Sequence, residues 1–206
     1  MNINEKDAMK PKGLRLRKNN SVQNREEVSI REEEHKHVTK QIVPQTKFCN
    51  SLVFHLAYDT LCQQVESLRE EMYDNGNESH KEKLLELWRL LRPDDQIFSC
   101  YGKHWRLIGF QSDDPSRDFR GMGILSLEQL IYMAKTDTKN MRSILVLSNH
   151  PKIGFPLVIT AINMTSLCHH LLKEGLLKNH FRNLLKNHLR IEDFHDAYCN
   201  LLNLIP

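Results

Sequence analysis

From residue 48 onward, apolar side chains recur along the chain at helical intervals. Val53, Ala57, Leu61, Val65, Leu68 and Met72 follow one another at steps of four, four, four, three and four, the spacing that lines one face of a 3.6-residue helix. The turn signal DNGN, Asp74 to Asn77, stops the pattern. Ser79 then stands three residues before Glu82 in a capping-box arrangement, Leu84, Trp88 and Leu91 share a face, and Pro93 ends the element. Farther along, Ile124, Leu127, Leu130, Ile131 and Ala134 repeat with the same period, and Met141, Ile144, Leu145 and Ser148 make a shorter element that His150 and Pro151 break. Pro156 suits the first turn of a long helix reaching Lys173 or Glu174, with Gly175 placed to stop it. That helix is apolar around most of its circumference, which predicts the central position. Leu177, Phe181, Leu184 and His188, with Lys178, Arg182 and Lys186 opposite, predict another helix; Phe194, Ala197, Tyr198, Leu201 and Leu202 predict the last. No segment alternates with period two and no internal repeat occurs, so the fold class is all-α.

Residues 1–47 read differently. The basic block KPKGLRLRK (Lys10 to Lys18) is followed by the mixed-charge run REEVSIREEEHKH. Such a segment buries too little apolar surface to offset its ordering entropy, which predicts a disordered charged tail before one domain over 48–206. The block Lys10–Lys18 has the charge to touch anionic lipid, at about 1 kcal/mol per basic residue near the surface; a solvated tail without a partner is the simpler reading. Across the chain Lys+Arg 29 stand against Asp+Glu 26, a net +3, and the first forty residues carry ten basic and seven acidic side chains, 10 − 7 = +3. The remainder is balanced, which argues against a nucleic-acid partner, since phosphate-tracking surfaces carry a basic excess on the domain itself.

Little in the sequence suggests covalent or metal chemistry. Cys49, Cys62, Cys100, Cys168 and Cys199 are odd in number and widely spaced, with no C-x-x-C pair, so reduced thiols in a cytoplasmic setting are expected and no metal. No N-terminal segment resembles a signal peptide, and no apolar run approaches the roughly 20 residues of a membrane-spanning helix. His35 and His37 lack companion ligands. Cys168, His169 and His170 are adjacent on a helix and so diverge, whereas metal ligands must converge. His195 and Asp196 near Cys199 are sequence neighbours that rarely form a nucleophile set. The serine-hydrolase elbow, the zincin motif and the phosphate-binding P-loop are all missing from the sequence.

One stretch departs from the leucine-rich periods. WRLIGFQSDDPSRDFRGMG, Trp105 to Gly123, holds three glycines and three arginines. Gly109, Gly121 and Gly123 permit close backbone approach or positive φ, and Asp114-Pro115-Ser116 favours a defined turn. Asp118 lies two residues before Arg120 and Asp114 six before it, so carboxylates could brace a guanidinium by paired hydrogen bonds. On the residues alone two readings stand: Arg120 ties the loop to a body plugged by Trp105 and Phe110, or the loop displays a cation.

The order Trp105, Ile108-Gly109-Phe110-Gln111, Asp114-Pro115, Asp118-Phe119-Arg120-Gly121 and Gly123 before a leucine-rich helix resembles the signature of the ELMO (engulfment and cell motility) domain. LLELWRLLRPDD upstream, and FPLVITAINMT and FHDAYCN downstream, occur in the order of that family, so the likeness covers about residues 50–202. It is closer to the small ELMO-domain-containing proteins than to the large ELMO scaffolds, whose armadillo-like and pleckstrin-homology regions find no room in this chain. The resemblance implies a GTPase-activating protein for Arf and Arf-like GTPases in their GTP-bound state, without a cofactor of its own, cytoplasmic or peripheral at organelle membranes. It makes Arg120 the catalytic finger, an arginine that the large scaffolds lack. By the same resemblance Trp105 and Phe110 anchor the loop, Gln111 satisfies backbone groups or orients a water, and Asp118 positions Arg120. Arg117 and Ser112 depart from the family pattern, and Arg117 ranks behind Arg120 as the finger. The runner-up is a non-catalytic adaptor in a Rac/Dock complex for cytoskeletal remodelling and engulfment; a third reading is an inactive truncated homologue. The family's domain runs on past the stretch matching FHDAYC whereas this chain ends at LLNLIP, so a domain shortened at its C-terminal end is expected.

Overall fold

Helix α3, Gly123–Thr136, has ten of its fourteen residues buried, among them Ile124, Leu125, Leu127, Leu130, Met133 and Ala134. The surrounding chain is seen in a computed structural model that describes residues 50–184 and 188–204. The tail over 1–47 with its Lys10–Lys18 block, the histidines within it, Cys49 and Lys186 therefore lie outside the described residues. The chain divides into two units, Met1–Leu52 and Val53–Pro206, and the second carries the helical body. In order come α1 (50–70), α2 (Glu78–Leu91), three short 3-10 turns (Lys103–Ile108, Pro115–Arg117, Phe119–Gly121), α3, α4 (Thr138–Ser148), α5 (Leu157–Lys173), α6 (Lys178–Asn183) and α7 (Ile191–Leu202). No strand occurs among the described residues, as the helical periods predict, and none of the described helices is long and apolar enough to cross a membrane.

The centre belongs to α3, not to α5 as the apolar pattern suggests. α3 packs against α2, α4, α5 and α7. α5 buries seven of its seventeen residues, and Leu167 on it is 42% exposed. Asn163, Ser166 and His170 also face out, so a polar stripe remains on α5 that composition alone hides. On α1 the middle of the predicted stripe is right, Leu61 and Val65 being fully buried, but Val53 is 47% exposed and Met72, beyond the helix, 52% exposed. Tyr58 takes the inner position instead, its hydroxyl donating to the Leu172 carbonyl at 2.5 Å. The start of α2 also differs from the capping-box reading. Asn77 is the cap, its side chain accepting the Ser79 N–H at 2.9 Å, while Glu82 turns outward to Arg89 at 2.6 Å. Asparagine at this place satisfies a donor that no intrahelical carbonyl can reach.

Two polar clasps tie α1 into the body. In the turn after α1, the Asp74 N–H donates to Nδ1 of His80 on α2 at 3.1 Å, so the ring proton sits on Nε2 and faces the Glu71 carboxylate at 3.0 Å. Nearer the middle of the helix, the Glu66 carboxylate accepts from Arg69 at 2.6 Å and meets His169 of α5 at 2.8 Å. Hydrogen bonds from Arg69 and then His169 hold the Glu66 carboxyl down to about 2. On α2, Lys83 pairs with Glu128 and Glu86 with Lys135 at 2.8 Å, both partners lying on α3. The Trp88 indole donates to the Asp95 carbonyl at 2.7 Å, fixing the turn past Pro93.

Gly123 opens α3 with φ +53°, and a Cβ there would lie 2.3 Å from the Arg69 carbonyl oxygen and 2.5 Å from that of Glu71. Both oxygens are backbone, so relief requires moving the end of α1. Gly123→Ala should lower stability by roughly 2–4 kcal/mol, read as a shift of the urea midpoint. A depressed carboxyl such as Glu66 adds stability above its ordinary value of 4.5, and that stability is lost as pH falls toward 2. Glu66→Gln should therefore cost no more than about 1 kcal/mol at neutral pH, the scale of a partly exposed ion pair. Urea titrations of variant and parent should converge as the pH is lowered toward 2.

Candidate functional site

The motif stretch is neither a long helix nor an open loop. Its three 3-10 turns bury Trp105, Ile108, Pro115 and Phe119, and Phe110, just past the first turn, is buried too. Trp105 meets Trp88 of α2 edge-to-face at 5.4 Å, Phe110 meets Trp105 at 5.5 Å, Phe119 meets Phe110 at 5.5 Å, and Tyr73 closes the row against Phe119 at 5.3 Å. Aromatic pairs of this geometry add about 0.5–1.5 kcal/mol each beyond the area they bury. Trp105 and Phe110 are thus core plugs. Nothing in the sequence singles out Tyr73, which lies in an ordinary-looking interhelical turn.

Glycine fixes both ends of the stretch. Gly109, at φ +97°, brings its Cα so close to the start of α5 that a Cβ would lie 2.3 Å from the Leu157 nitrogen. Its carbonyl accepts the Ile159 N–H at 3.4 Å. At the other end Gly123 abuts the end of α1, and the next residue, Ile124, donates its N–H to the Glu71 carbonyl at 2.8 Å. Gly121 behaves differently. It sits exposed in the third 3-10 turn, and a Cβ built on it meets nothing within 4 Å.

The three acids of the stretch are all occupied locally. Asp113 pairs with Arg106 at 2.7 Å. Asp114 caps the second 3-10 turn, accepting the Ser116 N–H at 3.1 Å and hydroxyl at 2.6 Å, and reaches Arg117 at 3.7 Å. Asp118 accepts the Gln111 N–H at 3.0 Å, closing the loop across seven residues. Burial pushes the Asp118 carboxyl up, with the Gln111 N–H and the nearby charge of Arg120 opposing that shift.

Arg120 is exposed, next in the chain to fully buried Phe119. Its Nε donates to the Arg117 carbonyl at 3.0 Å, and no carboxylate lies within ion-pair distance of it among the described residues. The paired-carboxylate brace is therefore absent: Asp114 serves Arg117, and Asp118 serves the backbone. Arg106 and Arg117 each have an acid partner, which leaves Arg120 as the arginine of the motif with no carboxylate in ion-pair range among the described residues, its charge acting on Asp118 from farther off. Gln111 is exposed and contributes its backbone N–H to the loop.

The other reactive side chains do not assemble. Burial pushes the Cys168 and Cys199 thiols up to about 12, the wrong direction for a nucleophile. Burial pushes the His195 imidazole down, and its ring packs on Tyr132 at 5.0 Å, while Asp196 accepts the Tyr132 hydroxyl at 2.7 Å. Along α5, Cys168 is buried, His169 turns to Glu66 and His170 is exposed. Among the described residues no three His, Cys, Asp or Glu side chains are grouped so as to hold a metal ion.

A helical body fixes a glycine-bounded loop on which Arg120 is exposed with no carboxylate in ion-pair range among the described residues, and sequence comparison identifies the family. The sequence model of the ELMO/CED-12 family matches residues 63–205, and the chain belongs to that family. It is 44% identical to human ELMO domain-containing protein 2 over 145 residues, covering 70% of this chain and 50% of that one. With bovine ELMO domain-containing protein 1 the identity is 38% over 165 residues, covering 72% and 51%. With ELMO domain-containing protein B of Dictyostelium discoideum it is 37% over 141 residues, covering 68% and 48%. The chain thus spans about half the length of the curated relatives it matches. No solved structure matches it.

Proposed function

We propose that this domain stimulates GTP hydrolysis by a small GTPase of the Arf/Arf-like group in its GTP-bound state, with Arg120 as the finger. The observation that carries the reading is the state of Arg120: exposed, seated beside buried Phe119, held through Nε alone and without an acid partner. Phosphoryl transfer spreads negative charge over the γ-phosphoryl oxygens, and a guanidinium supplied in trans stabilises that charge without covalent chemistry. A finger already neutralised by a carboxylate would have to break that pair first. The bond from Nε to the Arg117 carbonyl orients the guanidinium and leaves both Nη groups able to fork onto phosphate oxygens, which a lysine cannot do. Arg117, near Asp114, is the weaker candidate. The partner class follows from the resemblance to the small ELMO-domain-containing proteins.

Gly121 supports the same surface. Neither its backbone conformation nor its packing requires glycine. A bare backbone next to the finger suits close approach by another protein's main chain.

Single-turnover GTP hydrolysis over a panel of Arf, Arf-like and Rac proteins tests the reading. Arg120→Lys and Arg120→Ala should each lose about 10³-fold or more of the acceleration, with stability within about 0.5 kcal/mol of the parent because the side chain is exposed. Retained acceleration in both variants would falsify the assignment. Gly121→Val should likewise melt as the parent does, yet lose roughly tenfold or more of the acceleration, the effect of about 1.4 kcal/mol of misplacement. Full activity in that variant removes Gly121 from the contact.

A further inference from the structure

Residues 175–191 contain no acidic side chain. Within the described part of that stretch, Leu176 is 65% and Leu184 38% exposed. Between them α6 turns Phe181 inward against Tyr58 of α1, ring to ring at 6.1 Å. This docking sets two cations beside α1: Lys178 Nζ stands 5.2 Å from the Tyr58 ring centre, and the Arg182 guanidinium carbon 4.9 Å from that of Phe54. Neither cation has a carboxylate partner among the described residues.

Lysine and arginine lying along aromatic rings keep their alkyl stems on apolar surface and their charges toward solvent. Cations of this kind among protruding leucines fit an interface that is anionic outside and apolar within. We propose that Lys178, Arg182, Leu176 and Leu184 form a docking surface for an anionic lipid bilayer. The cations would sit at phosphate and carboxylate headgroups, and the aliphatic side chains would enter the boundary between headgroups and acyl chains. A nucleic acid would satisfy the charge but leave exposed leucines against a phosphate backbone that has no apolar layer to receive them. In the chain Asp59 follows Tyr58 and Glu174 precedes Gly175, so acidic residues adjoin in sequence the elements that carry the surface. The proposal concerns the folded body and does not involve Arg120 or the block Lys10–Lys18.

Co-sedimentation of the full chain with vesicles of phosphatidylcholine, and of phosphatidylcholine and phosphatidylserine three to one, tests it at low salt. The parent should partition onto the anionic vesicles. Lys178→Gln with Arg182→Gln should lower that partition roughly 25-fold, at about fivefold per cation removed from an anionic surface; the tail is common to both proteins and cancels in the ratio. Arg182→Gln alone, at an exposed position, gives the fivefold arm should the double variant melt early. Trp88 and Trp105 are both buried, 1% and 0% exposed, so a Leu176→Trp reporter stands out against them. Its emission should shift to the blue with the anionic vesicles. An unchanged partition in the cation variant, or an unshifted Leu176→Trp emission on vesicles that bind the protein, overturns the proposal. So does loss of duplex-DNA binding in the cation variant with vesicle binding kept, which would make the partner a nucleic acid.

Discussion

The contact on which the site depends is backbone against backbone. Where α1 ends, the carbonyls of Arg69 and Glu71 come so close to Gly123 that no side chain fits between, and the Glu71 carbonyl takes the first free N–H of α3 from Ile124. Helix starts and helix ends both carry unsatisfied backbone groups; here the end of one helix serves the start of another. Because α3 packs against α2, α4, α5 and α7, that junction sets where α1 stands relative to the core. A similar approach at Gly109 places the start of α5. Between these two pinned points the chain has few ways to run, and the aromatic row from Trp88 to Tyr73 fills the space beneath it.

Electrostatics then decides what the pinned stretch shows to solvent. Three aspartates and three arginines would suggest mutual neutralisation, yet the aspartates are drawn to nearer demands. Asp114 and Asp118 satisfy N–H groups of their own turns, a strong use because a carboxylate accepts a backbone donor in short, fixed geometry. Asp113 reaches Arg106. Local geometry therefore leaves Arg120 without an ion pair among the described residues, its charge acting on Asp118 only from a distance. Its exposure keeps the arrangement inexpensive, since an unpaired cation in water carries little of the penalty that burial would impose.

Much of the helical body could be read directly from the chain. The steps of three and four that mark α2, α3 and α7 survive as buried faces, with Leu84, Trp88, Ile131 and Phe194 all inside. The errors have physical causes. Asn77 outcompeted Ser79 because its longer side chain bridges back to the second residue on, a choice composition cannot rank. α5 reads as central because Asn163, Ser166 and His170 form only a narrow outward stripe that periodic averaging conceals, while Thr165 is buried with its hydroxyl donating to the Ala161 carbonyl. In the motif the aromatic plugs were legible from their apolar mass. The destination of each aspartate was not, for it turns on ångström differences among several equally spaced donors.

The alternation at Phe119-Arg120-Gly121 joins these threads. A fully buried ring, an exposed guanidinium and a bare backbone follow one another within one 3-10 turn. The ring fixes the backbone beneath the arginine, so ordering the side chain requires immobilising only its own rotors, and the Arg117 carbonyl already restrains the last of these through Nε. An arginine on an unanchored loop would instead surrender backbone freedom at about 1–2 kcal/mol per residue when it met a partner. Preorganisation of this sort raises what the charge can contribute at a transition state, because little of the interaction is consumed in ordering the group that makes it. On the proposed reading, the buried aromatic row contributes to what Arg120 does, although none of its rings reaches the surface.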